Sequence, residues 1–316
     1  MMRSAILHAD TIHRSVDGGW NILETTPQAH IDRPRLLSSG VQCVGLSLWT
    51  DPVDPAPERC RRLIRQTEKL LQEAPEQFCC LTDKSRLENL GDKVGLLVVI
   101  EGAHAIADSL EVMAEFVQFG VRSLTLTWNN ANSLADTCSE IRTPSGLTAL
   151  GREFVTALEE WGCIIDLAHA SQETFWQTLS MAPDRVWVSH TACTSLADHP
   201  RNLTDEQIAA IAQADGVIGV IFCPEFLDPT APDSVTLDTV ADHLEHMIKI
   251  GGRGCAAIGT DFDGITHLPK GMKGVEDLPL LIQRLRDRGW QEADIEAVGW
   301  ENAYRVIHRA LPVSSD

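Results

Sequence analysis

The sequence lacks long hydrophobic runs and an excess of positive charge, and both absences exclude classes of protein. Its longest apolar stretch, Val94–Ile100, is too short to span a bilayer. The first residues show no apolar run followed by a small-residue cleavage site, so we expect no secretory signal. Lysine and arginine total 26 against 45 aspartates and glutamates, a formal net charge of −19 over 316 residues. This charge disfavours binding to nucleic acid or to an anionic membrane surface.

Several motifs of common enzyme classes are also missing. The nine cysteines form no C-x-x-C pair, so we expect reduced thiols in a cytoplasmic protein. Without a Walker loop or a G-x-G-x-x-G motif, nucleotide binding has no support. No G-x-S-x-G motif is present, so Ser189 beside His190 does not indicate a serine hydrolase. Small-molecule chemistry of another kind is the remaining interpretation.

Strand-like and helix-like segments alternate along the whole chain. The predicted strands are short and apolar on successive residues, which is typical of parallel strands covered on both faces. They are Ala5–His8, Val41–Leu48, Val94–Ile100, Val121–Leu126, Cys163–Leu167, Val186–Ser189, Val217–Ile221 and Ala256–Gly259. Amphipathic helices are predicted between them, among others at Glu58–Glu73, Thr148–Trp161, Leu203–Ala214 and Val235–Ile250.

This alternation predicts an α/β fold, a (β/α)8 TIM-like barrel of the metal-dependent hydrolase type. A doubly wound open sheet is the alternative, but it would place ligands mainly at one switch point. No linker-like segment divides the chain, so we expect a single domain over residues 1–316. The long polar loop Asn129–Gly146 is expected to overhang a site.

Histidines and carboxylates follow five of the predicted strands. His8 and Asp10 lie two residues apart at the end of the first strand, so their side chains point to the same side. The others are Glu101 after the third strand, His169 after the fifth, His190 after the sixth and Asp261 after the eighth. Barrel enzymes carry their chemistry at this rim, where the strands end. A single histidine there is usually structural, but this combination predicts a site for divalent metal.

Imidazole nitrogen and carboxylate oxygen without thiolate suit Zn²⁺ and similar ions. Five ligands, namely His8, Asp10, Glu101, His169 and His190, are more than one catalytic zinc ion uses. We therefore predict two ions that share Glu101, with a hydroxide between them that attacks a carbonyl group. Asp261 is expected to pass a proton from the water to a leaving amine.

Other polar residues receive structural interpretations. His243 and His246 are one helical turn apart, and the absence of an H-E-x-x-H motif favours a solvated helix face over a metal site. Asp166 and Asp263 lie close to the candidate ligands in sequence, and we expect them to orient those ligands.

Short motifs in a fixed order make the sequence resemble the membrane (renal) dipeptidase family, peptidase family M19. They are His8–Asp10, Val98–His104, Ile165–Ser171, Val188–Ala192, His199–Leu203 and Gly259–Gly264, with a closing match at Glu301–Val306. The resemblance implies a TIM-like barrel with two zinc ions, a small dipeptide as substrate, and a homodimer. It also implies the same metal ligands and the same acid/base role for Asp261.

Two further residues enter through the resemblance. Arg201 matches an arginine that binds the terminal carboxylate of the substrate, a role that suits a guanidinium group. Trp128 stands where studied family members have a histidine that polarises the scissile carbonyl. Its indole N–H donates one hydrogen bond but the ring accepts no proton. Trp128 either replaces the histidine as a donor or packs as an apolar wall while the metals act alone.

These observations predict a binuclear zinc dipeptidase of the cytoplasm that hydrolyses L-Xaa–L-Xaa and L-Xaa–D-Xaa dipeptides. Two alternatives stay open. One is an N-acyl amino-acid or amide hydrolase with the same metal site, and the other is a non-catalytic metal-binding protein.

Overall fold

Parallel strands form the centre of the computed structural model, which describes residues 2–53, 56–140 and 145–313. The strands are β1 (Ser4–Ala9), β2 (Val41–Ser47), β3 (Phe78–Cys80), β4 (Val94–Glu101), β5 (Val121–Thr125), β6 (Ile164–Asp166), β7 (Val186–Thr191), β8 (Ile218–Val220) and β9 (Ala256–Ile258). Their hydrogen-bonded order is β2-β1-β9-β8-β7-β6-β5-β4-β3, and β2 also pairs with β4. This second pairing closes β1, β2 and β4–β9 into an eight-stranded barrel, because it joins the two ends of that row of strands.

The predicted barrel is confirmed, and the open-sheet alternative is wrong. Each of the eight predicted strands is present, with ends that differ from the prediction by at most two residues. The additional strand β3 was not predicted. It pairs with residues 94–96 of β4. The pairing of β4 with β5 starts only at residue 98 of β4.

Helices surround the barrel. They are α1 (Thr11–Gly18), α2 (Arg33–Ser39), α3 (Ala56–Glu73), α4 (Lys84–Glu88), α5 (Leu110–Phe119), α6 (Ala149–Glu160), α7 (Gln172–Met181), α8 (Asp205–Gln213), α9 (Pro224–Leu227), α10 (Leu237–Gly251), α11 (Leu278–Asp287), α12 (Glu292–Glu296) and α13 (Asn302–Ala310). The four helices predicted above correspond to α3, α6, α8 and α10. Helix α8 begins with a capping box formed by Thr204 and Gln207.

Alternation along the strands separates two apolar clusters. On β1, Ile6 packs in the large cluster that includes the surrounding helices. Ala5 and Leu7 belong to a smaller cluster that includes Val306 and Ile307 of α13. Successive side chains of a strand point to opposite faces, so β1 contributes to the outer layer and to the barrel interior. Every residue of β4 is buried, which fits a strand covered on both faces.

Two expectations about the chain as a whole can be compared with the structure. All nine cysteines lie among the described residues, and each of them is unpaired. None of the described helices combines the length and the apolar character needed to cross a membrane.

Candidate metal centre and active site

Four buried side chains surround the carboxylate of Glu101 at the end of β4. The Glu101 Oε2 atom lies 3.4 Å from Nε2 of His8, and Asp10 Oδ2 lies 3.6 Å from the same nitrogen. On the other side, Oε1 is 3.0 Å from Nε2 of His169 and 3.6 Å from Nε2 of His190. The two oxygens of Glu101 therefore face two separate sets of donor atoms.

The donor atoms of this cluster are unusual for a buried site, because several of them have no protein partner. Both ring nitrogens of His8 and Oδ1 of Asp10 are buried without a hydrogen bond to any described residue. The Nε2 atoms of His169 and His190 lie only 3.2 Å apart. Buried polar groups are normally satisfied, so these atoms are suited to bind a cation.

Three sets of side chains have donor atoms close enough together to hold an ion. Within each set the atoms lie within 4.8 Å of one another. The sets are His8 with Asp10 and Glu101, Glu101 with His169 and His190, and His8 with Asp166 and His190. Imidazole and carboxylate donors without thiolate fit zinc-like divalent cations. The first two sets share Glu101, which is the arrangement predicted from the sequence.

Burial and charge set the protonation of the cluster. Burial opposes ionisation of Glu101, but the positive charge of His8 outweighs it and holds the pKa of Glu101 well below the usual range. Burial also opposes protonation of His8, yet the charge of Glu101 raises its pKa well above the ordinary value. Burial, with Arg201 nearby, lowers the pKa of His169 to about 4. Burial, with the charge of His8, holds the pKa of His190 well below its usual value. The lowered pKa values of His169 and His190 favour the neutral imidazole, which is the form that binds metal.

Asn129 orients His169. The backbone of His169 has a φ of 66°, an uncommon conformation for a residue other than glycine. Its Nδ1–H donates to the side-chain oxygen of Asn129 at 2.9 Å, which leaves the Nε2 lone pair facing Glu101. The sequence analysis did not identify Asn129 individually, although it begins the polar loop Asn129–Gly146. Residues 141–144 of that loop lie outside the described residues.

Asp166 acts on His190 through a serine. Ser189 Oγ donates to Asp166 Oδ2 at 2.5 Å and accepts from Nδ1 of His190 at 2.8 Å. Thr125 Oγ1 donates to the same Asp166 oxygen at 2.9 Å. These contacts give Asp166 the position of an orienting group, although its own distance to His8 and His190 also places it in one candidate metal set.

Asp263 makes its hydrogen bonds elsewhere. It accepts from Thr11 Oγ1 at 2.6 Å and from the backbone N–H groups of His30 and Ile31 at 2.6 and 3.3 Å. Because Thr11 follows Asp10 directly, Asp263 ties the start of α1 to the segment around His30. It makes no hydrogen bond to a candidate ligand.

Asp261 lies beside the cluster but in none of the three candidate metal sets. Its backbone has a φ of 59°, and its N–H donates to the carbonyl oxygen of His8 at 3.2 Å. Burial and the charge of Asp10 raise the pKa of Asp261 well above the usual range. A Cβ atom at Gly264 would collide with the carboxylates of both Asp261 and Asp10, so only glycine fits beneath them.

The cluster lies at the base of a cavity of about 380 Å³. Its lining includes both residues that the resemblance added, Arg201 and Trp128. Arg201 is only 6% exposed, and its Nη2 donates to the carbonyl oxygen of His190 at 3.4 Å. Its Nε is buried without a partner among the described residues, and its guanidinium lies 5.4 Å from the ring centre of Phe226. The guanidinium of Arg201 has no carboxylate partner among the described residues.

Trp128 forms part of an aromatic wall. Its ring packs edge-on against Trp49 at 5.1 Å and lies 6.5 Å from the ring of His169. Trp49 in turn contacts the ring of His13 at 4.7 Å. Neither Trp49 nor His13 was predicted at the site. The indole N–H of Trp128 makes no hydrogen bond with the described residues, so packing and hydrogen-bond donation are both open to this side chain.

The interpretation of His243 as part of a solvated helix face is wrong. His243 is buried, its Nδ1 accepts from the backbone N–H of Cys193 at 3.1 Å, and its Nε2 lies 3.0 Å from the carbonyl oxygen of Leu227. The imidazole satisfies two backbone groups, one in the loop after β7 and one at the end of α9. His246 is partly buried and pairs with Asp205 at 2.7 Å. Neither histidine reaches the candidate metal centre.

A closed parallel barrel with buried histidines and carboxylates at the carboxyl ends of its strands has the architecture of metal-dependent barrel hydrolases. The sequence model of the membrane dipeptidase family, peptidase family M19, matches residues 7–315. The chain belongs to this family, and the resemblance seen in the sequence is confirmed.

Individual relatives agree with the family. An uncharacterized dipeptidase of Schizosaccharomyces pombe is 35% identical over 237 residues, covering 73% of this chain and 58% of the relative. Among solved structures, the family M19 metallopeptidase dipeptidase AC superposes with a TM-score of 0.89 at 23% identity, covering 98% of both chains. A metallopeptidase from Rhodobacter sphaeroides, solved with a phosphinate mimic of L-Ala-D-Ala, gives 0.86 at 23% identity over 98% of this chain and 99% of that one.

Proposed function

We propose that this protein is a metallo-dipeptidase with two divalent cations, of which zinc fits the donor set best. The ligands would be His8, Asp10, Glu101, His169 and His190. The observation that carries this proposal is that the two oxygens of Glu101 face separate sets of buried donors. Oε2 lies 3.4 Å from Nε2 of His8, and Oε1 lies 3.0 Å from Nε2 of His169. When bound, the cations would supply an activated water molecule and polarise the scissile carbonyl.

Asp261 is the proposed proton carrier. It lines the cavity, lies next to the carboxylate of Asp10, and belongs to none of the candidate metal sets. Its carboxyl group is therefore free to take a proton from the attacking water and to give it to the leaving amine.

Arg201 is the proposed anchor for the substrate. Its buried guanidinium faces the cavity without a carboxylate partner in the described part of the chain, and a carboxylate can accept two parallel hydrogen bonds from such a group. The terminal carboxylate of a dipeptide would fill this role. The L-Ala-D-Ala mimic bound to the Rhodobacter sphaeroides relative supports the inclusion of a D-residue at the C-terminal side of the substrate.

The test is amino-acid release from a mixed library of L,L and L,D dipeptides. Zinc-loaded protein should release amino acids, and the same protein stripped by a chelator should release none until zinc is restored. A fully loaded preparation that is silent on the whole library would overturn the dipeptidase proposal.

A second candidate rests on Trp128. An indole in place of the family histidine changes the wall next to the reacting carbonyl, which favours an N-acyl amino-acid hydrolase on the same metal centre. A panel of N-acetyl amino acids beside the dipeptides separates the two. Inertness on both panels would favour a non-catalytic metal-binding protein.

We also propose a cytoplasmic location. The support is that all nine cysteines are unpaired, which is typical of a reducing compartment. Fractionation of the cells that make the protein tests this.

A further inference from the structure

Arg14 brings a second positive charge to the cavity. Helix α1 begins at Thr11, immediately after Asp10, and the backbone N–H of Arg14 donates to the carbonyl oxygen of Asp10 at 3.0 Å. Arg14 therefore lies one helical turn after a candidate metal ligand. Residues four apart share a helix face, and Arg14 lines the cavity together with Asp10.

The guanidinium of Arg14 has no partner among the described residues, in contrast to Arg59 and Arg35. Arg59 pairs with Asp17, and Arg35 pairs with Asp32 at 2.8 Å and with Glu276 at 3.2 Å. The chain has 45 acidic residues for 26 basic ones, but none of the described carboxylates pairs with Arg14. At the cavity, Arg14 leaves its charge available to a ligand.

Arg14 and Arg201 are connected to residues on opposite sides of the Glu101 carboxylate. Arg201 donates to the carbonyl oxygen of His190, whose Nε2 faces Oε1 of Glu101. Arg14 follows Asp10, which with His8 belongs to the Oε2 side. A dipeptide with its terminal carboxylate at Arg201 and its peptide bond over Glu101 would extend its N-terminal residue toward Arg14.

We propose that Arg14 is a specificity-determining residue that selects dipeptides with an acidic side chain, Asp or Glu, at the N-terminal residue. This inference rests on the proposed dipeptidase function. The substrate side-chain carboxylate pairs with the Arg14 guanidinium, while the amide of Gln or Asn at the same place gains no charge–charge attraction.

The experiment compares kcat/KM for L-Glu–L-Ala and L-Gln–L-Ala with zinc-loaded wild-type protein, Arg14→Gln and Arg65→Gln. Arg65 is exposed on α3 and does not line the cavity, so its substitution removes the same charge from elsewhere. Wild type and Arg65→Gln should prefer the Glu dipeptide by about fivefold, the upper range for a solvent-exposed ion pair. Arg14→Gln should bring the ratio close to one, and added salt should reduce the wild-type ratio.

The reversed pair, L-Ala–L-Glu and L-Ala–L-Gln, tests the assigned end of the substrate, and its ratio should not respond to Arg14→Gln. A wild-type ratio of one, or an equal loss of the preference in Arg65→Gln, overturns the role of Arg14. L-Ala–L-Ala separates this failure from that of the proposed function. If L-Ala–L-Ala is hydrolysed but the Glu dipeptide is not preferred over the Gln dipeptide, only the Arg14 inference fails. Inertness on every dipeptide removes both proposals.

Discussion

At the scale of single residues, the carboxylates of the site divide into two kinds. Asp10 and Glu101 belong to sets of donor atoms that can hold an ion, but Asp261 does not. A substitution at Asp261 should therefore separate chemistry from metal binding, which substitutions at the other two cannot do.

For Asp261→Asn we expect unchanged metal content and a fall in kcat of at least about a hundredfold, the usual contribution of a positioned proton carrier. Asparagine keeps the shape of the side chain but carries no transferable proton at neutral pH. Elemental analysis and steady-state kinetics on one preparation measure both quantities. An unchanged kcat would remove Asp261 from the mechanism, and loss of metal would make it a ligand.

Asn129 allows a test of ligand orientation. Its oxygen accepts from Nδ1 of His169 at 2.9 Å, and loss of such a partner typically weakens metal affinity by about tenfold to a hundredfold. We expect this loss for Asn129→Ala in a competition titration with a chromophoric chelator. Asn130→Ala, next in sequence and without a bond to His169, is the matched control. Equal affinities in both variants would contradict the orienting role.

At the scale of secondary-structure elements, the strands of the barrel were predictable because buried parallel strands are continuous apolar runs. Strand β3 was missed because three residues, Phe78–Cys80, are too few to show a period. His243 was misplaced for a different reason. Its position in an amphipathic helix does not show that two backbone groups from other segments, at Cys193 and Leu227, meet its ring.

The buried His243 should make stability depend on pH. Burial lowers its pKa in the folded state, so below the ordinary pKa near 6.5 the unfolded chain takes up a proton that the folded chain refuses. Stability is therefore lost as the pH falls through 6.5. The loss falls between pH 7.5 and 5.5, and about 1.4 kcal/mol is its upper limit, which is reached only if the folded chain takes up no proton at His243.

Denaturant unfolding of metal-free protein at pH 7.5 and 5.5 measures this difference, and His243→Gln should reduce it. His246→Gln, at a partly exposed residue one turn along α10, is the control for loss of a histidine from the same helix. An identical pH dependence in wild type and His243→Gln would show that His243 does not carry it.

At the scale of the whole molecule, metal binding and folding stability should be linked. The proposed ligands come from β1, β4, β7 and the segments after β1 and β6, so an ion bound there joins distant parts of the barrel. Zinc at a hundred times its dissociation constant adds about 2.7 kcal/mol to the free energy of unfolding.

We expect removal of zinc by a chelator to lower the Tm by several degrees, in proportion to that free energy. Differential scanning calorimetry with and without chelator measures the shift. Glu101→Gln, which weakens both proposed sites at once, should show a much smaller shift. A chelator effect of the same size in this variant would place the stabilising ion elsewhere.

Part of the site could not be derived from sequence patterns. The proposed metal ligands lie at the ends of strands or just after them, so a prediction of the barrel brings them to one rim. Arg201, Asn129 and Trp49 come from separate loops whose paths follow no period. Arg201 was found only through the family resemblance, and the contact between Asn129 and His169 requires the coordinates.

The burial of the cysteines has a practical consequence for spectroscopy. Burial raises the pKa of the Cys43 and Cys163 thiols to about 12, and seven of the nine cysteines are buried. Cys79 and Cys138 are the two that are not. The backbone N–H of Cys138 donates to the carbonyl oxygen of His169 at 2.8 Å. In a Cys79→Ser variant, a maleimide fluorophore on Cys138 would report on the proposed metal centre without any engineered cysteine.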